Sequence, residues 1–192
     1  MASRASASQA SLAQSGIIPF MRTGLKTAIV GATGAVGKEL ISLLHSRRFP
    51  VSHLSLLASR RSVGQVMEFG GAGIPVKEAA ESELEGVDLA FFSAGSSTSK
   101  QLARDAAAKG TIVIDNSSAF RMEPDVPLVV PEVNMAAVGP DDRLIANPNC
   151  TAIILLLALS PLRQLGEIDR VIVSTYQSAS GAGAQAMQEL LD

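Results

Sequence analysis

The sequence predicts an α/β fold, a mostly parallel sheet with helices on both faces. Three observations predict it. Short apolar runs alternate with stretches of helical periodicity, the pattern of successive βαβ units. The first run ends in a glycine-rich turn, GATGAVG (Gly31 to Gly37), from which a helical pattern departs. Much later an Asn-Pro-Asn turn opens directly onto a second helical run, TAIILLLALSPL.

The elements follow in order. Residues 1–20 are rich in Ser and Ala, with one Arg and no acid, and lack the apolar stretch of a secretory signal. Three readings stand for residues 1–22: a disordered tail, an upstream start with Met21 as the natural first residue, or an organellar transit segment. The folded chain is expected from near Leu25. KTAIVGAT is a compact apolar run ending at the glycines, the mark of a buried strand. GAVGKELISLLHSRRF spaces Val36, Leu40, Leu43 and Leu44 as one helix face. LSLLAS is a second strand ending near Ser59, and QVMEFGGAGIPV reads as a hairpin of alternating apolar positions and glycines. VDLAFFSAG is a strand, STSKQLARDAAAKG a helix stopped by Gly110, and TIVIDNSS another strand. The apolar run Thr151 to Leu162 contains Ser160 and Pro161 and falls short of the roughly 18–20 residues that span a bilayer, so it reads as a buried helix.

Composition narrows the function. At 192 residues, 47 % apolar and 18 % charged, the chain has material for one full domain with a sizeable core and part of another. A net charge of −2 offers no electrostatic footprint for nucleic acid or an acidic membrane. A lone cysteine excludes an internal disulfide framework and suits a reducing, cytoplasmic compartment; an organellar one follows if the first residues are a transit segment. One cysteine and two histidines are too few for a zinc site, and no metal is expected.

Two stretches carry chemistry. Gly31, Gly34 and Gly37 give the spacing G-x-x-G-x-x-G between a strand and a helix. Glycines permit a tight turn and close backbone approach, and the helix N-terminus offers free N–H groups to a pyrophosphate. A plain glycine turn would need no ligand; the strand–turn–helix context points to a dinucleotide. An NAD site wants an acid about 20 residues on, at the end of the second strand, to bind ribose hydroxyls. Here the stretch is LLASRRSVG, without a carboxylate between Glu39 and Glu68. Arg60, Arg61 and Ser62 either form a solvated basic loop or read a 2′-phosphate, and the latter makes NADP the expected cofactor. The second stretch is IANPNCTAI. Cys150 is either a small buried hydrophobe or a nucleophile; its place at a helix start, where negative charge is favoured, suits a thiolate.

Together AIVGATGAVGKELISLL, FFSAGSSTSKQLA, VIDNSSAFRM, PLVVPEVN, IANPNCTAI and VIVSTYQSASGAG make the chain, from about Leu25 onward, resemble the bacterial-type aspartate-semialdehyde dehydrogenases. The resemblance implies an NADP-binding Rossmann domain over residues 23–149 and, over 150–192, the start of an α+β catalytic and dimerisation domain. It implies reductive dephosphorylation of L-aspartyl 4-phosphate to aspartate 4-semialdehyde with NADPH, a step toward diaminopimelate, lysine, threonine, methionine and isoleucine. Cys150 matches the nucleophile that forms the acyl thioester, and Gln177 the glutamine that orients substrate beside it. Arg121 matches the arginine that holds substrate phosphate or inorganic phosphate, with Asn149 beside the thiol contributing. The loop Gly31, Thr33, Gly34, Ala35, Val36 and Gly37 matches the pyrophosphate site, Arg61 and Ser62 the 2′-phosphate contacts, and Ser180 with Gly181 a contact near the nicotinamide. One departure is plain. The family's acid–base histidine lies well beyond the glutamine, whereas this chain has only His45 and His53, in the first helix and the loop after it. The chain therefore looks like the first half of the enzyme, with low turnover by itself, as a truncated gene or a fragment of a longer chain. A homodimer or homotetramer is implied at full length. N-acetyl-glutamyl-phosphate reductase performs the same reaction type on a longer acyl phosphate, but PEVN and STYQSASGAG point away from it. A non-catalytic NADP-binding fragment is the other alternative.

Overall fold

The structure, a computed structural model, describes residues 24–179 and 188–189. Seven strands form one sheet: β1 (Leu25–Val30), β2 (Val51–Ala58), β3 (Val66–Phe69), β4 (Ala72–Glu78), β5 (Leu89–Phe92), β6 (Ile112–Asp115) and β7 (Leu144–Ala146). Their order is β3-β4-β2-β1-β5-β6-β7, and every neighbouring pair is parallel except the β3–β4 hairpin. The helices are α1 (Ala35–Ser46), α2 (Ser96–Ala108), the short α3 (Pro131–Asn134) and α4 (Cys150–Leu159). His53 falls inside β2 rather than in a loop before it, because β2 begins at Val51.

The period-2 alternation of β1 divides its side chains between two layers. Ala28 and Val30 join Ala90, Phe92, Leu102, Ala103 and Ala106, the α2 side; Ile29 joins Ile41, Leu44, Leu54 and Leu56, the α1 side. One helix thus covers each face, which is why the second half of β1, Ala28 to Val30, is an unbroken apolar run instead of alternating with polar residues. The chain runs from β1 outward through β2 and the hairpin, then returns to the other side of β1 as β5. At that reversal the loops leaving β1 and β5 diverge and open a crevice at the strands' carboxyl ends, the ligand position of doubly wound sheets.

The outer side of β7 is not bare. Leu128 bridges to Ala146 in parallel fashion, Val129 N donates to Ala146 O at 2.9 Å, and Ala146 N donates to Pro127 O at 3.0 Å. The helix α4 begins where expected, at Cys150, but is not buried. Ile154 is 69 % exposed, with Leu156 and Leu157 near 40 %. A helix apolar all round belongs inside a core; among the described residues α3 and the turn Ser160–Gln164 pack against it most, and Ile154, Leu156 and Leu157 stay exposed.

Candidate active site

The glycine loop is dictated by contact. Gly31 has φ +93°, and a Cβ there would lie 2.7 Å from Ser93 C and Ala94 N at the end of β5. Gly37 lies in the first turns of α1, where a Cβ would come within 2.3 Å of Gly31 O and 2.7 Å of Ala32 Cα. Only hydrogen fits at either place, so the helix start sits directly on the loop. Gly34 precedes α1 and has no side chain to cap it, which leaves the N–H groups of the first turn, Ala35 and Val36 included, for an anion. A cleft of about 460 Å³ opens here, lined by Gly31, Thr33, Gly34, Ser93, Gly95 and Thr98. Ser93 Oγ is buried in its wall without a hydrogen-bond partner among the described residues, an acceptor and donor awaiting a polar ligand. Backbone that tolerates no Cβ, uncapped helix N–H groups and an orphaned hydroxyl fit a dinucleotide.

The basic turn is divided by the fold. Arg60, Arg61 and Ser62 form one 3₁₀ turn at the end of β2. Ser62 Oγ and Thr33 Oγ1 share a hydrogen bond of 3.2 Å, which ties that turn to the glycine loop. Arg60 lines the cleft, whereas Arg61 is exposed on the same turn outside the lining. The cleft also contains Glu78, which the sequence alone did not suggest. Its signal lay in strand order: β4 runs parallel to β2, and Glu78 pairs with Ala58 at the strand ends.

The thiol is at the opposite edge of the sheet from the hairpin. Cys150 is exposed and unpaired by disulfide, at the first position of α4. Asn149 caps this helix, its Oδ1 accepting from Thr151 N at 3.0 Å and from the Thr151 hydroxyl. The other end of the same amide donates to Gln177 Oε1 at 3.4 Å, so Asn149, Cys150 and Gln177 come together although 28 residues separate Asn149 from Gln177. Arg121 follows β6, the neighbour of β7. Its Nε donates to Asn147 O at 2.9 Å and its Nη2 to Asn116 O at 3.1 Å, which ties the arginine to the Asn-Pro-Asn turn that presents the thiol. Asn134 of the PEVN segment accepts from Val130 N at 2.8 Å and donates to Leu128 O at 2.9 Å, closing α3. Neither histidine comes to the thiol: His45 packs edge-on against Phe69 of the hairpin, and His53 lies in β2. Ser180 and Gly181 lie outside the described residues.

Residues 26–139 match the family model for the semialdehyde dehydrogenase NAD-binding domain, and residues 159–192 that for the semialdehyde dehydrogenase dimerisation domain. An aspartate-semialdehyde dehydrogenase of Synechocystis sp. is 53 % identical over 170 residues, covering 88 % of this chain and 50 % of that protein. The crystal structure of aspartate semialdehyde dehydrogenase II from Vibrio cholerae superimposes with a TM-score of 0.81 at 46 % identity, covering 88 % of this chain and 51 % of that one. That of the Candida albicans enzyme with NADP does so with a TM-score of 0.60 at 27 % identity, over 76 % of this chain and 49 % of that one. The chain spans about half the length of the relatives it matches. With that NAD-binding model matched over more than half of its length, across the glycine loop and most of the doubly wound sheet, the chain belongs to the semialdehyde dehydrogenase family.

Proposed function

We propose that this chain supplies the cofactor-binding and thioester-forming parts of an enzyme that converts L-aspartyl 4-phosphate to L-aspartate 4-semialdehyde with NADPH. The observation that carries the reading is that the Asn-Pro-Asn turn before Cys150 is hydrogen-bonded to Arg121 through Asn147 and to Gln177 through Asn149. The Cys150 thiolate attacks the acyl-phosphate carbon, the C–O bond to phosphate breaks, and inorganic phosphate leaves with that electron pair while the acyl group stays on sulfur. Arg121 holds the phosphate before and after the break, since a guanidinium matches its oxygens. Gln177, held beside the thiol by Asn149, orients the acyl group. The loop Gly31–Gly37 and the turn with Arg61 and Ser62 would hold NADPH, which would supply the hydride for the thioester carbon; the C–S bond then breaks and the Cys150 thiolate leaves, freeing the aldehyde. The solved Candida albicans relative bound to NADP supports the cofactor.

On the same reading residues 23–149 are the NADP-binding unit and 150–192 open the catalytic and dimerisation domain of a cytoplasmic homodimer or homotetramer. The remaining substrate contacts and the acid–base group come from outside this chain's described residues. The test is Cys150→Ser in a polypeptide of the relatives' length, assayed as phosphate-dependent NADP⁺ reduction by aspartate semialdehyde. Most turnover is lost while NADPH titration is unchanged, because a hydroxyl replaces a far better nucleophile. A Cys150→Ser protein that turns over normally would discard the thioester route.

A further inference from the structure

We infer that Asp115 is a positioning residue for the phosphate-holding arginine, its buried carboxylate anchoring a ring of hydrogen bonds that fixes Arg121 to the thiol turn. The inference rests on the reading of Arg121 given above. Asp115 is the last residue of β6 and has no solvent exposure. A buried carboxylate costs stability unless its oxygens are satisfied. Here each oxygen takes one hydroxyl: Oδ1 accepts from Ser99 Oγ at 2.7 Å and Oδ2 from Ser117 Oγ at 2.8 Å. Ser117 Oγ in turn accepts from Ala119 N at 3.0 Å, which shapes the turn leading to Arg121. The carbonyl of Asp115 accepts from Asn147 N at 2.8 Å. Arg121 closes the ring by donating to the carbonyl of that same Asn147.

Two segments leaving neighbouring strands are thereby locked together, one carrying the arginine and the other the thiol. The helix α2 anchors the first segment twice. Ser99 holds its beginning through Asp115. Arg104 holds its end, lying 5.3 Å over the Phe120 ring and donating to Asp125 at 2.7 Å. A guanidinium with Nε and one Nη tied to carbonyls keeps Nη1, which has no protein partner among the described residues, for an anion. Its ordering is complete before phosphate arrives, which favours binding. An apolar residue would fill the Asp115 position at lower cost. Only a carboxylate accepts on both sides at once, and that is what joining α2 to the loop demands.

The probe is inorganic phosphate, and the readout is its protection of Cys150 from iodoacetamide, with NADPH affinity followed by fluorescence. Arg121→Ala abolishes protection; if protection survives, the reading of Arg121 falls and this inference with it. With that control in place, Ser117→Ala and Asp115→Asn raise the half-protecting phosphate concentration about tenfold, the scale of a lost positioning contact, while NADPH affinity holds. Ser117→Thr, which keeps the hydroxyl, restores protection. Unchanged protection in Ser117→Ala while Arg121→Ala loses it, or NADPH affinity falling in step with protection, leaves Asp115 as structural only and overturns the inference. If Asp115→Asn fails to fold, Ser117→Ala decides alone.

Discussion

At Gly37 one methyl group decides whether helix and loop fit. The 2.3 Å approach of a built Cβ to Gly31 O involves backbone on both sides, so no side chain can yield. Gly37→Ala is expected to cost about 1–3 kcal/mol, the range for overpacking, and to weaken NADPH binding as α1 is pushed off the loop. Urea unfolding with and without NADPH checks both effects. The basic turn gives a second residue-scale prediction. Arg61→Ala weakens NADPH binding about tenfold, a loss of about 1.4 kcal/mol, and spares NADH, because only the former carries the 2′-phosphate. Equal losses in parallel fluorescence titrations would remove Arg61 from that contact and turn attention to Arg60, which lines the cleft. The glycine turn and the start of α4 at Cys150 were legible because each sits at a junction that sequence marks: glycines after a strand, Asn-Pro-Asn before an apolar helix. Glu78, Ser93 and Asp115 were not. Their significance arises from which strands become neighbours, and the pairing of Ser99 with Asp115 spans a helix and a strand.

Among the elements, α4 is the one whose sequence and surroundings disagree. Its apolar character predicted burial, yet Ile154 is largely exposed and Tyr176, further along, is 99 % exposed. Large apolar side chains exposed along one helix, Ile154, Leu156 and Leu157, favour association. The chain by itself is expected to bind the dye ANS and to self-associate in sedimentation velocity, and Ile154→Lys with Leu157→Glu to reduce both without changing NADPH affinity. The ion pair on α2 gives a pH prediction. Donation from the Arg104 guanidinium holds Asp125 below the ordinary carboxylate range. A lowered folded value means the stabilisation is whole above the unfolded value of about 3.9 and is lost as pH falls through the folded one. Both partners are solvent-exposed, so the effect is small. Asp125→Asn should flatten the acid limb of urea midpoint against pH, and an unchanged limb would show that the pair does not couple to folding. The long elements were legible from their periodicity. β7 was not, since three residues, Leu144–Ala146, are too few to display a period, and it is neighbouring strands that make them a strand.

For the molecule as a whole, the crevice lies where the winding reverses, so its lining comes from both halves of the sheet: the ends of β1, β2 and β4 on one side, the end of β5 and α2 on the other. A ligand gripping both halves stabilises them as one unit. NADPH at a hundred times its dissociation constant should add about 2.7 kcal/mol to unfolding, with one coincident transition by circular dichroism and by the fluorescence of bound NADPH. Separate transitions would show that the halves unfold independently. The fold class was legible because βαβ alternation constrains handedness and layering. The layering was confirmed by the division of β1 between two cores.

The segment laid along β7 bears on how this sheet behaves in a crowded solution. An uncovered outermost strand is a template on which foreign chains add, the first step toward fibrils. Pro127 to Val129 occupy that position beside Ala146, and β7 is only three residues long, so growth from the β7 margin is blocked. The opposite margin, β3, is four residues long and carries Glu68 within it. A short margin bearing a charge resists the same addition. Misassembly of this fold should therefore begin from its exposed apolar helix and not from its sheet, giving amorphous aggregates without thioflavin fluorescence.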